Sequence, residues 1–124
     1  MDCRPSQTNY AAWRNRLASG LCPQLYTVEW LDRRLAEGSA FFFANERCAL
    51  VVELKQYPTG AVVVKAVVAA GDVDGIIEEL GPAVTEWGRA NGASFEMIQS
   101  RDGWARKMRE HGFQEFQRIL IREI

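Results

Sequence analysis

The chain has one histidine and three cysteines in 124 residues. Cys3, Cys22 and Cys48 are far apart and form no Cys-x-x-Cys pair, so neither a dithiol redox motif nor a structural zinc site is expected. An odd number of cysteines suits a reducing compartment better than a disulfide framework. Long apolar runs are missing as well. Nothing approaches the ~20 residues a membrane span needs. The opening residues Met1–Gln7 also lack the apolar core of a signal sequence. The expected location is the cytosol, or a virion or other particle assembled there, with no membrane partner. Nor is there an excess of one charge. Fifteen Lys and Arg face sixteen Asp and Glu, for a net charge of −1. Nucleic-acid binding needs a concentrated basic surface, so no nucleic-acid partner is expected. The one basic cluster, Arg101, Arg106, Lys107 and Arg109, reads as the solvated face of a helix.

What is present is ordinary globular composition, 48% apolar and 25% charged, enough for a single domain over residues 1–124. Thr8 is placed to cap a helix carrying Tyr10, Trp13, Leu17 and Leu21 at helical spacing, ended by Ser19–Gly20 and Pro23. Thr27 is placed to cap a second, with Val28, Leu31 and Leu35 on one face and Gly38 as its stop. Ala40–Phe43 is a short apolar strand. Asn45–Glu46 reads as a tight turn. Cys48 to Lys55 alternates at strand period, with Cys48, Leu50, Val52 and Leu54 on one face. Tyr57–Pro58–Thr59–Gly60 is a turn. Ala61–Ala70, Val-rich and interrupted only by Lys65, predicts a central strand buried on both faces.

A third helix follows, capped by Asp72 or Asp74, with Ile76, Ile77, Leu80, Val84 and Trp87 inward and a kink at Gly81–Pro82. Then come a strand at Phe95–Ile98 and a helix from Asp102 with Trp104, Ala105 and Met108 on one side. Gly112 is placed as the stop at positive φ, and Phe113–Phe116 and Arg118–Ile124 as extended pieces. A strand–helix–strand crossover should set the Val-rich strand beside and parallel to the Phe95 strand.

This order, with its strand–helix–Gly112–Phe113 ending, resembles the GNAT (N-acyltransferase) superfamily. Small GNAT-like proteins of bacteriophages are the most similar in the Gly103–Trp104 of the last helix. The resemblance implies an α+β fold, a mixed sheet of about five to six strands flanked by helices. It covers the last two-thirds of the chain well. The family's first strand would lie before the first helix, where only Met1–Ser6 precede Thr8.

The resemblance also implies sites. Acyl-CoA in this family meets an Arg/Gln-x-x-Gly-x-Gly/Ala loop at the start of the third helix, where backbone N–H groups hold a pyrophosphate. The corresponding residues here are Val68, Ala70, Gly71 and Gly75, and no register supplies the pattern. Asp72 and Asp74 add negative charge where the anion would sit. Counting back from Gly112, the position of an Asn that meets the pantetheine arm holds Ser100. The position of a Tyr proton donor holds Met108, which has no proton to give. Glu53 and Glu96 are the best-placed carboxylates for a general base. Cys48 reads as a buried inert thiol and His111 as a helix-end cation.

Trp30 lies about 60° off the Val28/Leu31/Leu35 line. With Phe41 and Phe43 it is the candidate protein-interface patch, for a partner or for self-association. The function these residues predict is a divergent GNAT-fold accessory protein, phage-borne, that binds rather than transfers acyl groups. No cofactor and no metal are expected in that case. The alternative is an acetyl-CoA-dependent N-acetyltransferase with a non-standard pyrophosphate loop.

Overall fold

The computed structural model describes residues 5–99 and 102–124, without the side chains of Asp102 and Gly103. Ser100, a candidate arm-binding residue, lies outside the described residues, as do Cys3 and Arg101. Two helices open the chain, α1 (Tyr10–Ala18) and α2 (Val28–Ala36). Three antiparallel strands follow: β1 (Phe41–Ala44), β2 (Cys48–Gln56) and β3 (Val62–Gly71). A three-part helix, α3 (Val73–Gly75), a π-helical turn (Ile76–Leu80) and α4 (Gly81–Ala90), leads to β4 (Phe95–Met97) and α5 (Asp102–Arg109). The sheet runs β1-β2-β3-β4, and β4 is parallel to β3. The Val-rich strand is therefore central and neighbours the Phe95 strand, as the crossover requires.

The sheet separates two cores. On one face Trp13, Leu17, Leu31 and Leu35 of the first two helices pack on Phe42, Ala49, Val51 and Val68. On the other, Ile76, Leu80 and Val84 pack on Phe43, Cys48, Leu50, Val52 and Val64. Helices on both faces explain why β2 is buried at every residue from Cys48 to Val52.

Four strands are seen among the described residues, not five to six. At the front, a backbone bond joins Ser6 N–H to Phe42 C=O (2.8 Å), the one such rung seen there among the described residues. At the back, residues 113–124 pair with nothing in the sheet. Thr27 caps α2 as expected, accepting from Trp30 N–H at 3.2 Å. Thr8 does not cap α1. That position belongs to Asn9, which sits at φ 69° with no side-chain cap bond. The kink expected at Gly81–Pro82 takes the form of the π-helical turn just before it. Pro82 offers no N–H to the preceding turn, and the wider turn absorbs the loss.

Candidate functional site: a cleft where two parallel strands part

β3 and β4 share only three rungs, Val63↔Phe95, Val64↔Glu96 and Lys65↔Met97. Two residues later β3 bulges. Val51 faces Val68 while Val52 faces Ala66, which leaves Val67 as the extra residue. A bulge bends its strand and raises its twist. Beyond it, β3 carries on to Gly71 with no strand on its β4 side, and the two strands splay. The wedge between them is a cleft of about 750 Å³. Ala66–Gly71 form one wall, and Ile98 and Gln99 with Trp104 and Met108 of α5 form the other. Ile76, Ile77 and Pro82 border it on one face of the sheet. Arg16, Ser19 and Gly20 border it on the other.

The open edge of β3 offers unpaired backbone groups along an apolar wall. A slender ligand carrying amides is the chemistry such an edge recognises, by adding as a strand would. Glu96, Thr85 and His111 are the polar side chains near the base of the wedge, and Glu96 and His111 also line the adjoining groove.

The start of the third helix, between the cleft residues Gly71 and Ile76, is built differently. Asp72, at the start of α3, makes no side-chain cap bond to the helix. Its carboxylate is instead held by Arg47, whose other guanidinium nitrogen reaches Glu79 at 2.6 Å. Asn45 braces the cluster. Its Oδ1 accepts from the N–H groups of Arg47 (2.8 Å) and Cys48 (3.0 Å), and its Nδ2 donates to Glu79 at 2.9 Å. Asp74 pairs with Lys107 of α5 at 3.3 Å. Of the eight residues 72–79, four are carboxylates.

The two glycines here answer to packing. A Cβ at Gly71 (φ +98°) would meet Arg47 O at 2.4 Å, and one at buried Gly75 would meet Cys48 Sγ at 3.1 Å. Both let the chain turn tightly past the start of β2. Val68 and Ala70 line the cleft, but neither offers a charge or a side-chain donor to a phosphate.

The two candidate bases separate. Glu96 lines the cleft. Glu53 does not; it accepts from Arg34 of α2 at 2.6 Å and ties that helix to β2. Cys48 is fully buried, and that burial is the main cause raising its thiol above the ordinary value, as befits an inert side chain. The proposed aromatic patch is also divided. Trp30 packs at the edge of the α1/α2 core, with Tyr26 4.7 Å away. Phe43 is fully buried on the opposite face of the sheet, and Phe41 stacks on Trp87 there at 4.7 Å. Period-two alternation sends both Phe side chains away from α2, so the three make no common surface.

Arg47 and Arg16 are the residues the sequence reading passed over. The Tyr57–Gly60 turn sets the hairpin register as far as Val52↔Ala66, and the bulge at Val67 then shifts it by one, so that Cys48 faces Gly71 and Arg47 meets Asp72. The turn alone would have set Cys48 opposite Ala70. Arg16 stands over the Trp13 ring at 4.3 Å and has no ion pair among the described residues. Nothing in its helix pattern marks it as a cleft residue.

No family model matches the chain, and no curated protein matches its sequence. Its shape does have counterparts. It superposes on the ribosomal-protein-alanine N-acetyltransferase of Brucella melitensis biovar Abortus 2308 with a TM-score of 0.72, covering 99% of this chain and 100% of that one at 12% identity. An aminoglycoside 6'-N-acetyltransferase from Acinetobacter haemolyticus gives 0.71, covering 100% of this chain and 98% of that one at 14% identity. The fold is GNAT-like. A transcriptional regulator from Bacillus halodurans C-125 matches equally well, with a TM-score of 0.72 over 98% of both chains at 13% identity. A GNAT-like fold thus leaves activity to be argued from the site. No described helix is long and apolar enough to cross a membrane. No group of three metal-binding side chains lies together among the described residues.

Proposed function

We propose that this chain is a binding protein built on the GNAT-like fold, in which acyl transfer from CoA is lost or reorganised. An accessory role of the kind bacteriophage GNAT-like proteins fill suits it. One observation carries this reading: Arg47 is held between Asp72 and Glu79 at the start of the third helix, next to the cleft residues Gly71 and Ile76. An anion there needs free N–H groups and a net positive field. The start of the third helix offers carboxylates, and Arg47 there is already neutralised by two of them, which leaves Arg16 as the cleft-lining cation with no ion pair among the described residues. The arm of CoA fits the apolar wedge and the open edge of β3; its pyrophosphate does not fit the residues present. Met108, in the proton-donor position, lines the cleft with a thioether.

The second reading is an acetyl-CoA-dependent N-acetyltransferase with a rebuilt loop. It is favoured by the open wedge itself and by Glu96 lining it. Titration calorimetry with acetyl-CoA at low salt separates the two. The proposal expects no saturation in the high micromolar range. Low-micromolar affinity would refute it and favour the enzyme.

A further inference from the structure

Two charged side chains of the cleft are left unmatched. Arg16 and Glu96 both line it, and neither makes an ion pair among the described residues. They stand at opposite ends. Glu96 is in register with Val64, at the base, where β3 and β4 still pair. Arg16 stacks on the Trp13 ring at 4.3 Å, and a Cβ at Gly71 would meet that same ring at 3.1 Å. The Arg16 guanidinium is thereby held near the last residue of β3. Apart from His111, near Glu96 at the base, the other described residues of the lining carry no charge.

Between the two charges runs the open edge of β3. Cys48 C=O accepts from Asn45 N–H on the β1 side, so by alternation Ala49 and Val51 turn to β3, where they face Ala70 and Val68. Ala69, between those two partners, is left with its backbone N–H and C=O toward the wedge. An extended ligand meets such groups with its own amides. The walls, Ala66–Ala70 on one side and Ile98, Trp104 and Met108 on the other, suit small or apolar side chains. From Val64 to Gly71 the strand advances about 20 Å. The Glu96 and Arg16 side chains reach in from the two ends and leave room for about four extended residues, roughly 13 Å.

We propose that the wedge binds a short free peptide of about four residues, extended beside β3 and parallel to it, in the place that β4 vacates. Its amino terminus pairs with Glu96 and its terminal carboxylate with Arg16. A planar guanidinium takes a carboxylate through two parallel hydrogen bonds. CoA matches these charges poorly, because it brings phosphates to one end and no cation for Glu96. The proposal deepens the binding reading and rests on it, since a wedge that carries acetyl-CoA has no room for a peptide.

Titration calorimetry at neutral pH tests it with the tetrapeptide Ala-Val-Ala-Leu, its N-acetylated and C-amidated forms, and the variants Arg16→Gln and Glu96→Gln. The free peptide should saturate the unmodified chain at high-micromolar concentration. Amidation should weaken binding about tenfold and acetylation about fivefold. Arg16→Gln should lose the same factor for the free peptide and become indifferent to amidation. Glu96→Gln should become indifferent to acetylation. S-acetyl-pantetheine, which needs the same wedge, should displace the peptide.

End-blocked forms that bind the unmodified chain as tightly as the free peptide would overturn the proposal, whatever the variants do. So would the absence of saturation by about 5 mM, or a preference for free ends that survives both substitutions. Acetyl-CoA titrated alongside keeps two failures apart. Low-micromolar acetyl-CoA binding removes the binding-only reading and the peptide with it. A silent peptide together with silent acetyl-CoA removes the peptide proposal alone.

Discussion

Over Cys48–Val52, β2 is buried at every residue and hydrogen-bonded to a strand on each side. β4 has three residues, none of them buried, and a partner on one side only. The first three strands are clamped between two cores, and α1 and α2 are themselves tied together by polar contacts. Tyr10 OH donates to Asp32 at 2.6 Å, and Arg14 Nη2 donates to the same carboxylate at 2.7 Å. Burial, with Asp32 as acceptor, holds the Tyr10 phenol well above the ordinary tyrosine value. Past α4 the structure thins to a short strand, one helix and a segment unpaired among the described residues. Stability sits in the first region, and the openings that ligands or partners can use lie in the second, as the uneven stability of folded chains leads one to expect.

Phe43→Ala attacks the clamped region at its largest fully buried side chain, which packs edge-on against Trp87 at 5.3 Å. A loss of about 3–5 kcal/mol is expected by urea unfolding. A loss below about 1 kcal/mol would erase the contrast between the regions.

Gly88→Ala probes the seam between them. Its Cβ would meet Val64 Cγ2 at 2.4 Å, and Val64 is itself buried in the middle of β3. Alanine's better helix propensity returns up to about 1 kcal/mol, and overpacking costs about 1–3, so a net loss of roughly 1–2 kcal/mol is expected. Thermal unfolding that shows a gain would mean α4 can lift off the sheet at little cost.

Thr27→Ala removes the one side-chain cap seen on α2, with an expected loss of about 1 kcal/mol. Circular dichroism melting measures it, and the cleft should be unaffected.

The smallest expected effect is on acid stability. The Arg14 hydrogen bond holds the Asp32 carboxyl below its ordinary value. That contribution is fully present above the unfolded carboxylate pKa, about 3.9, and is lost as pH falls through the lower folded value. Both side chains are 36% exposed, so solvent screening keeps the effect small. The stability gap between the native chain and Asp32→Asn should narrow as pH is lowered from 5 to 2. A gap that widens would contradict the assignment.

The two regions were not equally legible in the sequence. Elements held by local chemistry read true, the Thr8 cap excepted. Thr27 caps, Tyr57–Gly60 turns, and Gly112 at φ +90° stops the last helix. The Val run announced a central strand. What depends on partners across the sheet did not read. Phe41 and Phe43 look like a surface patch until β1 is seen to alternate between two cores. Glu53 looks like a base until α2 brings Arg34 to it. Asp72 looks like a cap until the hairpin delivers Arg47. Residues 113–124 have the apolar content of strands, and the resemblance implied a count of five to six. Whether such a segment pairs depends on an edge that sequence cannot place.

If acyl transfer from CoA is lost, the apolar wedge should hold a CoA-like arm while the carboxylates at the start of the third helix reject its pyrophosphate. The most direct test compares the affinities of S-acetyl-pantetheine, which lacks the phosphates, and acetyl-CoA at low salt. The account predicts that acetyl-CoA binds no tighter than the shorter arm, because the Asp72–Arg47–Glu79 cluster offers the phosphates nothing. Acetyl-CoA binding a hundredfold tighter, about 2.7 kcal/mol from the phosphate end, would contradict it.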